Sequence, residues 1–109
     1  MYRQGDIVLV PFPFSDLSGT KLRPALVISS EQVNQTRDLI CLQITSKVIN
    51  DIFFFSLQDE DVLPSLPLKS GVRLHKFFTI EQTRIEQKLG ALTAYVLSDI
   101  LTIIQKEIL

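Results

Sequence analysis

The sequence is poor in the residues that build disulfides and metal centres. Its 109 residues include one cysteine, one histidine and no tryptophan. Cys41 alone forms no internal disulfide, and one histidine with one cysteine is too small a ligand set for a structural zinc site. We therefore expect an intracellular, cytoplasmic protein that holds no metal ion and no cofactor.

Neither sign of charge dominates, and no apolar run is long. Eleven Lys and Arg residues stand against twelve Asp and Glu residues, which leaves a formal net charge of −1. Such a chain has no general attraction to nucleic acid or to an anionic membrane, so any anion site has to be local. No apolar run approaches the roughly 18 residues that suggest a membrane span. The stretch from Ile7 to Phe14 contains two prolines and lacks a signal-peptide cleavage pattern.

Apolar residues are abundant enough for one folded domain. Hydrophobic residues make up 46% of the chain and charged residues 21%, which excludes a disordered protein. Because a domain usually needs about 100 residues or more to enclose a core, we expect residues 1–109 to form a single domain.

Short β-branched runs bounded by Gly, Pro and Ser predict strands over most of the chain. Residues Phe14 to Leu22 are polar and predict a long mobile loop between the first two strands. The predicted strands are Ile7 to Val10, ended by Pro11 and Pro13, then Ala25 to Ile28, Asp38 to Ile44, Ile52 to Leu57, Gly71 to Thr79, and a further strand within Arg84 to Leu89 before Gly90 ends the strand region.

The periodicity changes near the C-terminus and predicts one amphipathic helix. Thr93 stands where an N-cap hydroxyl is expected. Since crossover helices between the strands are missing, a parallel sheet is excluded. We predict a mainly β fold in which a small, bent antiparallel sheet or half-barrel packs against a C-terminal helix. The helical spacing is carried by Leu97, Ile100, Leu101, Ile104 and Ile108.

Common catalytic motifs are missing, but cations and hydroxyls collect at the strand ends. There is no G-x-S-x-G elbow, no phosphate-binding P-loop and no H-E-x-x-H motif. In an antiparallel sheet the start of the second strand and the end of the third lie at the same edge. Arg23 and Thr45 are therefore expected to be neighbours. The polar groups at strand ends are Lys21, Arg23, Thr45, Ser46, Lys47, Arg73, His75 and Lys76.

Each of these groups also has a structural explanation. An arginine that precedes a strand, such as Arg23, commonly forms a surface ion pair, here with Asp6 or Asp16. Thr45 and the serine after it are typical of a turn in which hydroxyls bond the nearby backbone. A lone histidine on a strand, such as His75, is often a hydrogen-bonded structural residue. The residue pattern by itself indicates a small β domain with a local cationic edge.

Three segments resemble the PemK/MazF family of toxins from bacterial toxin–antitoxin pairs. The first combines Gly5 to Phe12 with Lys21 to Ser29, across a loop that contains a glycine. The second is Leu42 to Ser46, and the third is Gly71 to Ile80 followed by the closing helix. The resemblance covers nearly the whole chain in order and spacing, and its first segment is the most specific.

The resemblance implies an SH3-like small barrel of the CcdB, PemK and MazF type. It implies a growth-inhibiting, sequence-selective messenger-RNA endoribonuclease that acts as a homodimer and is neutralised by a cognate antitoxin. In that family the Arg of the Arg-Pro step and the Thr of the Thr-Ser step lie in the active site, and these are Arg23 and Thr45 here. Arg73 and His75 occupy the places of a second arginine and an acid or base. Some relatives have Asp at the latter place or a His in the first loop, so the general base stays open.

The chemistry of metal-free RNA cleavage explains these residue types. The 2′-hydroxyl attacks the adjacent phosphorus, a cyclic phosphate forms and a 5′-hydroxyl leaves. Arg23 suits the charged phosphorane oxygens because a guanidinium matches phosphate in a fork, and Thr45 can donate to the same oxygens. An imidazole titrates near neutral pH, so we expect His75, assisted by Arg73, to transfer protons. The loop between the first two strands would close over the RNA. Further RNA contacts are expected from Gly19, Thr20, Lys21, Ser46, Lys47 and Lys76.

Two other functions fit a similar fold. A non-catalytic CcdB-like poison would bind DNA gyrase, but those poisons depend on a tryptophan near the C-terminus and this chain has none. An SH3-like peptide-binding module needs an aromatic-lined groove, which two tyrosines and no tryptophan supply poorly. Endoribonuclease activity is therefore our prediction, and gyrase binding is the alternative.

Overall fold

Strands dominate the structure, a computed structural model that describes residues 1–13 and 19–109. All strand pairs are antiparallel, and the strands form one curled sheet in the order β4-β6-β3-β2-β1-β7-β5. The predicted β fold with a C-terminal helix is confirmed. The strands are β1 Asp6–Pro13, β2 Thr20–Val27, β3 Asp38–Thr45, β4 Phe54–Ser56, β5 Val62–Leu63, β6 Gly71–Glu81 and β7 Gln87–Leu92.

Within residues 1–13 and 19–109, two α-helices accompany the sheet, and the second follows the last strand. Thr93 is the N-cap residue of the closing helix, as predicted, but its side chain makes no capping hydrogen bond. Within the described ranges, no helix has the length and apolar character needed to cross a membrane. The helices are α1 Glu31–Asn34 and α2 Ala94–Ile103, which continues as a π-helical segment over Ile104–Ile108, and 3-10 turns lie at Asp59–Asp61 and Gln82–Arg84.

β1 continues through Pro11 and Pro13, where the sequence predicted that pairing would end. The carbonyl of Leu9 accepts a hydrogen bond from Glu86 N at 2.9 Å, on the β7 side of the strand. Alternate residues direct their backbone groups to the same side, so both prolines face that side too. β7 pairs with β1 only as far as Leu9, and beyond it this edge of β1 pairs with no other strand of the described residues. The N–H groups that proline lacks are not needed there.

β2 begins earlier than predicted because β1 is long enough to pair with all of it. Lys21 lies opposite Phe12, and Leu22 lies opposite Pro11. The loop predicted from Phe14 to Leu22 is therefore too long at its C-terminal end, and residues 14–18 lie outside the described residues.

Three further departures from the predicted elements have local causes. The unpredicted helix α1 is a single turn, whose Val33 N–H donates to the Ser30 hydroxyl at 3.4 Å. The unpredicted strand β5 has only two residues and pairs with β7. Gly90 lies inside β7 and does not end it, because the absence of a side chain lets the Leu63 carbonyl approach.

Alternation along the strands creates two hydrophobic clusters, one on each face of the sheet. The first cluster includes Ile7, Leu26 and Val72 and is covered by α2 through Val96 and Ile100. The helix therefore packs on the sheet as predicted. The second cluster consists of Val8, Val10, Ala25, Val27, Leu39, Cys41 and Ile80.

We predict that Gly90→Ala destabilises the fold. An added Cβ would lie 2.8 Å from the backbone oxygen of Leu63 and 3.2 Å from Pro64 Cδ, so the β5–β7 pair would have to separate. We expect the free energy of unfolding in urea to fall by about 1–3 kcal/mol. Gln87→Ala, at an exposed position of the same strand, is the control and should change it by less than about 0.5 kcal/mol. Equal effects of the two substitutions would contradict this account of Gly90.

We also predict a pH dependence of stability that comes from Cys41. Burial raises the pKa of its thiol from 9.0 to about 12. Between these values the unfolded chain has lost the proton and the folded chain keeps it, so stability falls as pH rises above 9 and this group has no effect below. At pH 10 the loss should be about 1 kcal/mol. Urea unfolding at pH 7 and pH 10 should show a smaller loss in Cys41→Ala than in the wild type, and identical losses would refute the assignment.

Candidate active site

Arg23 and Thr45 lie side by side on neighbouring strands. β2 pairs with β3 as far as Ala25 opposite Gln43, and Arg23 and Thr45 are the next residues on the same face of each strand, two positions beyond this last pair. On the other side of β3, Thr45 is opposite Gly71 of β6. Opposed residues share a face of the sheet, so these positions form a cross-strand row, Arg23–Thr45–Gly71. The structure thus brings Arg23 and Thr45 together as predicted.

A cavity of about 270 Å³ opens at the ends of these strands. Leucine and proline residues supply most of its apolar lining, and the polar lining comes from Lys21, Arg23, Thr45, Ser46 and Ser70. Side chains from both faces of β2 line the cavity. The cavity therefore lies at the strand ends and not beneath one face of the sheet. The arrangement puts cationic and hydroxyl groups around an apolar opening, which suits a ligand with an anionic backbone and planar apolar parts.

The Thr45 hydroxyl has both a structural and a potential chemical role. Its oxygen accepts a hydrogen bond from Lys47 N at 3.1 Å, which confirms the turn role predicted from the Thr-Ser pair. A hydroxyl that accepts one bond still has its O–H to donate. Since the Thr45 side chain is only half-buried, that proton is available to a ligand in the cavity.

Asp6 does not pair with Arg23, although the sequence allowed this. The Asp6 carboxylate is buried, lies 3.2 Å from Lys88 Nζ and accepts a hydrogen bond from Arg3 N at 2.8 Å. Asp16, the other acidic residue considered for Arg23, lies outside the described residues.

Arg73 shares a face with the cross-strand row but does not line the cavity. It lies two residues after Gly71 on β6, so its side chain projects to the same side as Thr45. The side chain is half-buried, and its Nε is buried without a hydrogen-bond partner in the part of the chain that the structure describes. Buried donors are nearly always paired, so this one calls for an explanation.

His75 and Lys76 lie farther along β6, outside the cavity. Both are exposed, and the His75 ring is 4.9 Å from the Phe53 ring, between centroids, with the planes tilted by 46°. The separation has a cause in the pairing of β3 with β6. Between Ile44↔Val72 and Leu42↔Phe77 the register shifts, so residues 73–76 of β6 face a single residue of β3. Strand alternation in the sequence gave no sign of this bulge.

The remaining predicted RNA contacts surround the start of β2 and the end of β3. Gly19 is exposed immediately before β2, and the backbone of Thr20 pairs with Pro13 of β1. Lys47 is exposed directly after the Thr-Ser pair. These positions lie close in sequence to residues that line the cavity.

Sequence reasoning missed part of the cavity wall. Leu66, Pro67 and Leu68, in the segment between β5 and β6, also line the cavity. The prolines at 64 and 67 marked this segment only as irregular. The one signal in the sequence that this segment lines the cavity was its leucine content, directly before the strand that carries Arg73.

The fold and the site define a small β-barrel-like protein with cationic and hydroxyl side chains at one edge. A sequence model of the family described as PemK-like, MazF-like toxin of type II toxin–antitoxin system matches residues 3–108. The chain belongs to this family, which confirms the resemblance found in its three segments. A comparison with curated proteins finds no match.

Solved structures show the same fold at low sequence identity. An endoribonuclease in complex with its cognate antitoxin from a mycobacterial species has a TM-score of 0.79 and 17% identity over 99% of this chain and 95% of that one. The structure of MazE–MazF (form III) from Deinococcus radiodurans has a TM-score of 0.73 and 22% identity, over 93% of this chain and 90% of that one. The Mycobacterium tuberculosis toxin MazF-mt6 has a TM-score of 0.65 and 19% identity, over 87% of this chain and 88% of that one. The shared architecture is a curled antiparallel half-barrel with a C-terminal helix.

Proposed function

We propose that this protein is a sequence-selective endoribonuclease that cleaves single-stranded messenger RNA without a metal ion. The observation that carries the proposal is that Arg23 of β2 and Thr45 of β3 both line one cavity at the ends of these strands. Two findings support it: the chain belongs to a toxin family, and two of the similar solved structures are named as endoribonucleases. Cleavage of messenger RNA by such a toxin would inhibit growth.

The cross-strand row supplies the groups that a phosphorane needs. Attack by the 2′-hydroxyl places extra negative charge on the nonbridging oxygens, and fixed donors at that point lower the barrier. The Arg23 guanidinium can bind two of these oxygens at once. The Thr45 hydroxyl, held by its bond from Lys47 N, donates to the same group. Lys21 adds a positive charge at the cavity.

Proton transfer falls to His75, with Arg73 beside it on β6. His75 carries the chain's one imidazole and is exposed. An RNA strand that leaves the cavity along β6 would pass Arg73 before it reaches His75. The general base has to come within hydrogen-bond reach of the 2′-hydroxyl, so this role depends on the path of the RNA.

The RNA path needs only a few local cations, which agrees with the balanced net charge. Lys47 and Lys76 are exposed on either side of the strand ends, and Ser46 offers a hydroxyl at the cavity. Gly19 and Thr20 lie at the start of β2, where a backbone could approach the RNA closely. Single-stranded RNA bound in this way is recognised through phosphate contacts and through its unstacked bases.

We further propose that the protein acts in the cytoplasm as a homodimer that a cognate antitoxin neutralises. The similar structures include toxins named together with their antitoxin. The outer side of α2 supports a self-association surface, because Leu97 and Leu101 line an open groove of about 460 Å³ there. An antitoxin segment that occupies the cavity would block RNA directly. Sedimentation of the free protein tests the homodimer, and RNA cleavage measured with and without the antitoxin tests the neutralisation.

We predict that purified protein cleaves single-stranded RNA in the presence of EDTA and leaves 2′,3′-cyclic phosphate and 5′-hydroxyl ends. Arg23→Ala should lower the cleavage rate by about 100-fold or more, because it removes the main charge that stabilises the phosphorane. Thr45→Val keeps the side chain's shape but removes one donor, and should cost about tenfold. The rates are measured on end-labelled RNA, and the ends are mapped chemically.

The matched control is Arg37→Ala, which removes an exposed arginine that does not line the cavity. It should cleave like the wild type. Cleavage abolished by EDTA, or equal rates for Arg23→Ala and Arg37→Ala, would overturn the proposed mechanism. Undiminished cleavage by His75→Ala would remove only the role of that histidine. A protein that cleaves no RNA but inhibits DNA gyrase would favour the alternative function.

A further inference from the structure

The ring of Phe54 lies across Gly71, next to Thr45. β4 pairs with β6 so that Phe54 is opposite Arg73, two residues from Gly71. A Cβ added to Gly71 would lie 2.1 Å from Cζ of the Phe54 ring and 2.4 and 2.7 Å from its two Cε atoms. That Cβ would project from the face that Thr45 shares. The aromatic ring therefore fills the place beside Thr45 that a side chain at Gly71 would take.

Core packing does not account for this ring. Phe53 and Phe55, on either side of it, both pack against the first cluster. Phe54 belongs to neither cluster and is only half-buried. The aromatic pairs found among the described residues do not include it either. A half-buried aromatic ring beside a polar site has part of its face free to stack with a planar ligand.

Arg73 adds a cation beside the ring, on β6, the strand that lies between Thr45 and Phe54. It is the direct cross-strand partner of Phe54, and within the described ranges its Nε has no hydrogen-bond partner. On this face the Phe54 ring over Gly71 therefore has Thr45 of β3 as one neighbour and Arg73 of β6 as another, and Arg23 lies beyond Thr45 on β2. Alternation of cations with an aromatic ring is the arrangement that binds single-stranded nucleic acid, since cations bind phosphates and rings stack with bases.

We propose that Phe54 stacks with the nucleobase next to the phosphate held by Arg23 and Thr45, and that Arg73 binds the backbone of that nucleotide. This rests on the proposed ribonuclease function and assigns its site a base-binding residue. Neighbouring strands lie about 4.8 Å apart, so the Phe54 ring, which lies over Gly71 of β6, is within one nucleotide of Thr45 on β3. Stacking holds the base flat and fixes the adjoining ribose against the catalytic groups. Gly71 is required because any larger residue would displace the ring.

The test measures the affinity of the full-length protein for an RNA oligonucleotide that contains a mapped cleavage site. A 2′-O-methyl group on the scissile ribose prevents cleavage. Phe54→Leu keeps an apolar side chain but removes the aromatic face, and should weaken binding by about fivefold to a hundredfold. Phe54→Tyr should bind like the wild type. Phe55→Leu, one residue on and on the opposite face, is the matched control and should leave RNA affinity unchanged.

A second arm replaces single bases of the oligonucleotide with abasic sites. The abasic site at the stacked position should weaken wild-type binding by the same factor as Phe54→Leu, and should have little further effect on Phe54→Leu itself. Gly71→Ala should behave like Phe54→Leu, since it moves the ring. If Phe54→Leu proves unfolded by thermal denaturation, Phe54→Met replaces it in both arms.

The outcomes separate this inference from the function on which it rests. Wild-type protein that neither binds nor cleaves RNA overturns both. Wild-type protein that cleaves RNA, together with Phe54→Leu binding as tightly as Phe55→Leu, overturns only the stacking role. Weakened binding by Phe54→Leu that is equal at every abasic position also overturns it, because the loss would then not involve a base. Coupling at one position beside the scissile phosphate establishes it.

Discussion

The antiparallel register of β2, β3 and β6 is the constraint on which the site depends. Arg23 and Thr45 are far apart in sequence, and only the alignment of three strands sets them beside each other and beside Gly71. Because side chains alternate between faces, a slip of one residue in any of these pairs would turn one group to the opposite face. The two hydrophobic clusters oppose such a slip, since it would expose residues such as Leu26 and Ala25, both now fully buried.

The candidate active site lies where the sheet is irregular. The register shift between β3 and β6 carries His75 and Lys76 away from the cavity. The ring of Phe54 occupies the space that a side chain at Gly71 would need. The backbone carbonyl of Leu63 in β5 occupies the corresponding space at Gly90. A curled sheet needs such places, because close approach of neighbouring strands leaves no room for a Cβ. The same irregularities that close the fold also shape the site.

The sequence allowed much of the fold to be predicted, and its failures share a cause. β3 was predicted to within one residue, and α2 and its N-cap position were located, because burial on both faces and helical spacing are local patterns. The prolines of β1 and Gly90 of β7 were wrongly taken as strand ends. Both errors came from ignoring which edge of a strand has a partner, since proline and glycine are tolerated wherever the neighbouring strand is absent or unusually close.

The sequence by itself determined the class of protein, the antiparallel architecture and the pairing of Arg23 with Thr45, because alternation, chain order and family motifs are all written along the chain. Only the tertiary structure decided which of the other polar residues join them. In the structure Arg73 and His75 lie outside the cavity, whereas Leu66 and Leu68 form part of its wall. The ring of Phe54 lies over Gly71. Bulges, close approaches and unpaired edges arise from contacts between distant segments, and no local pattern records them.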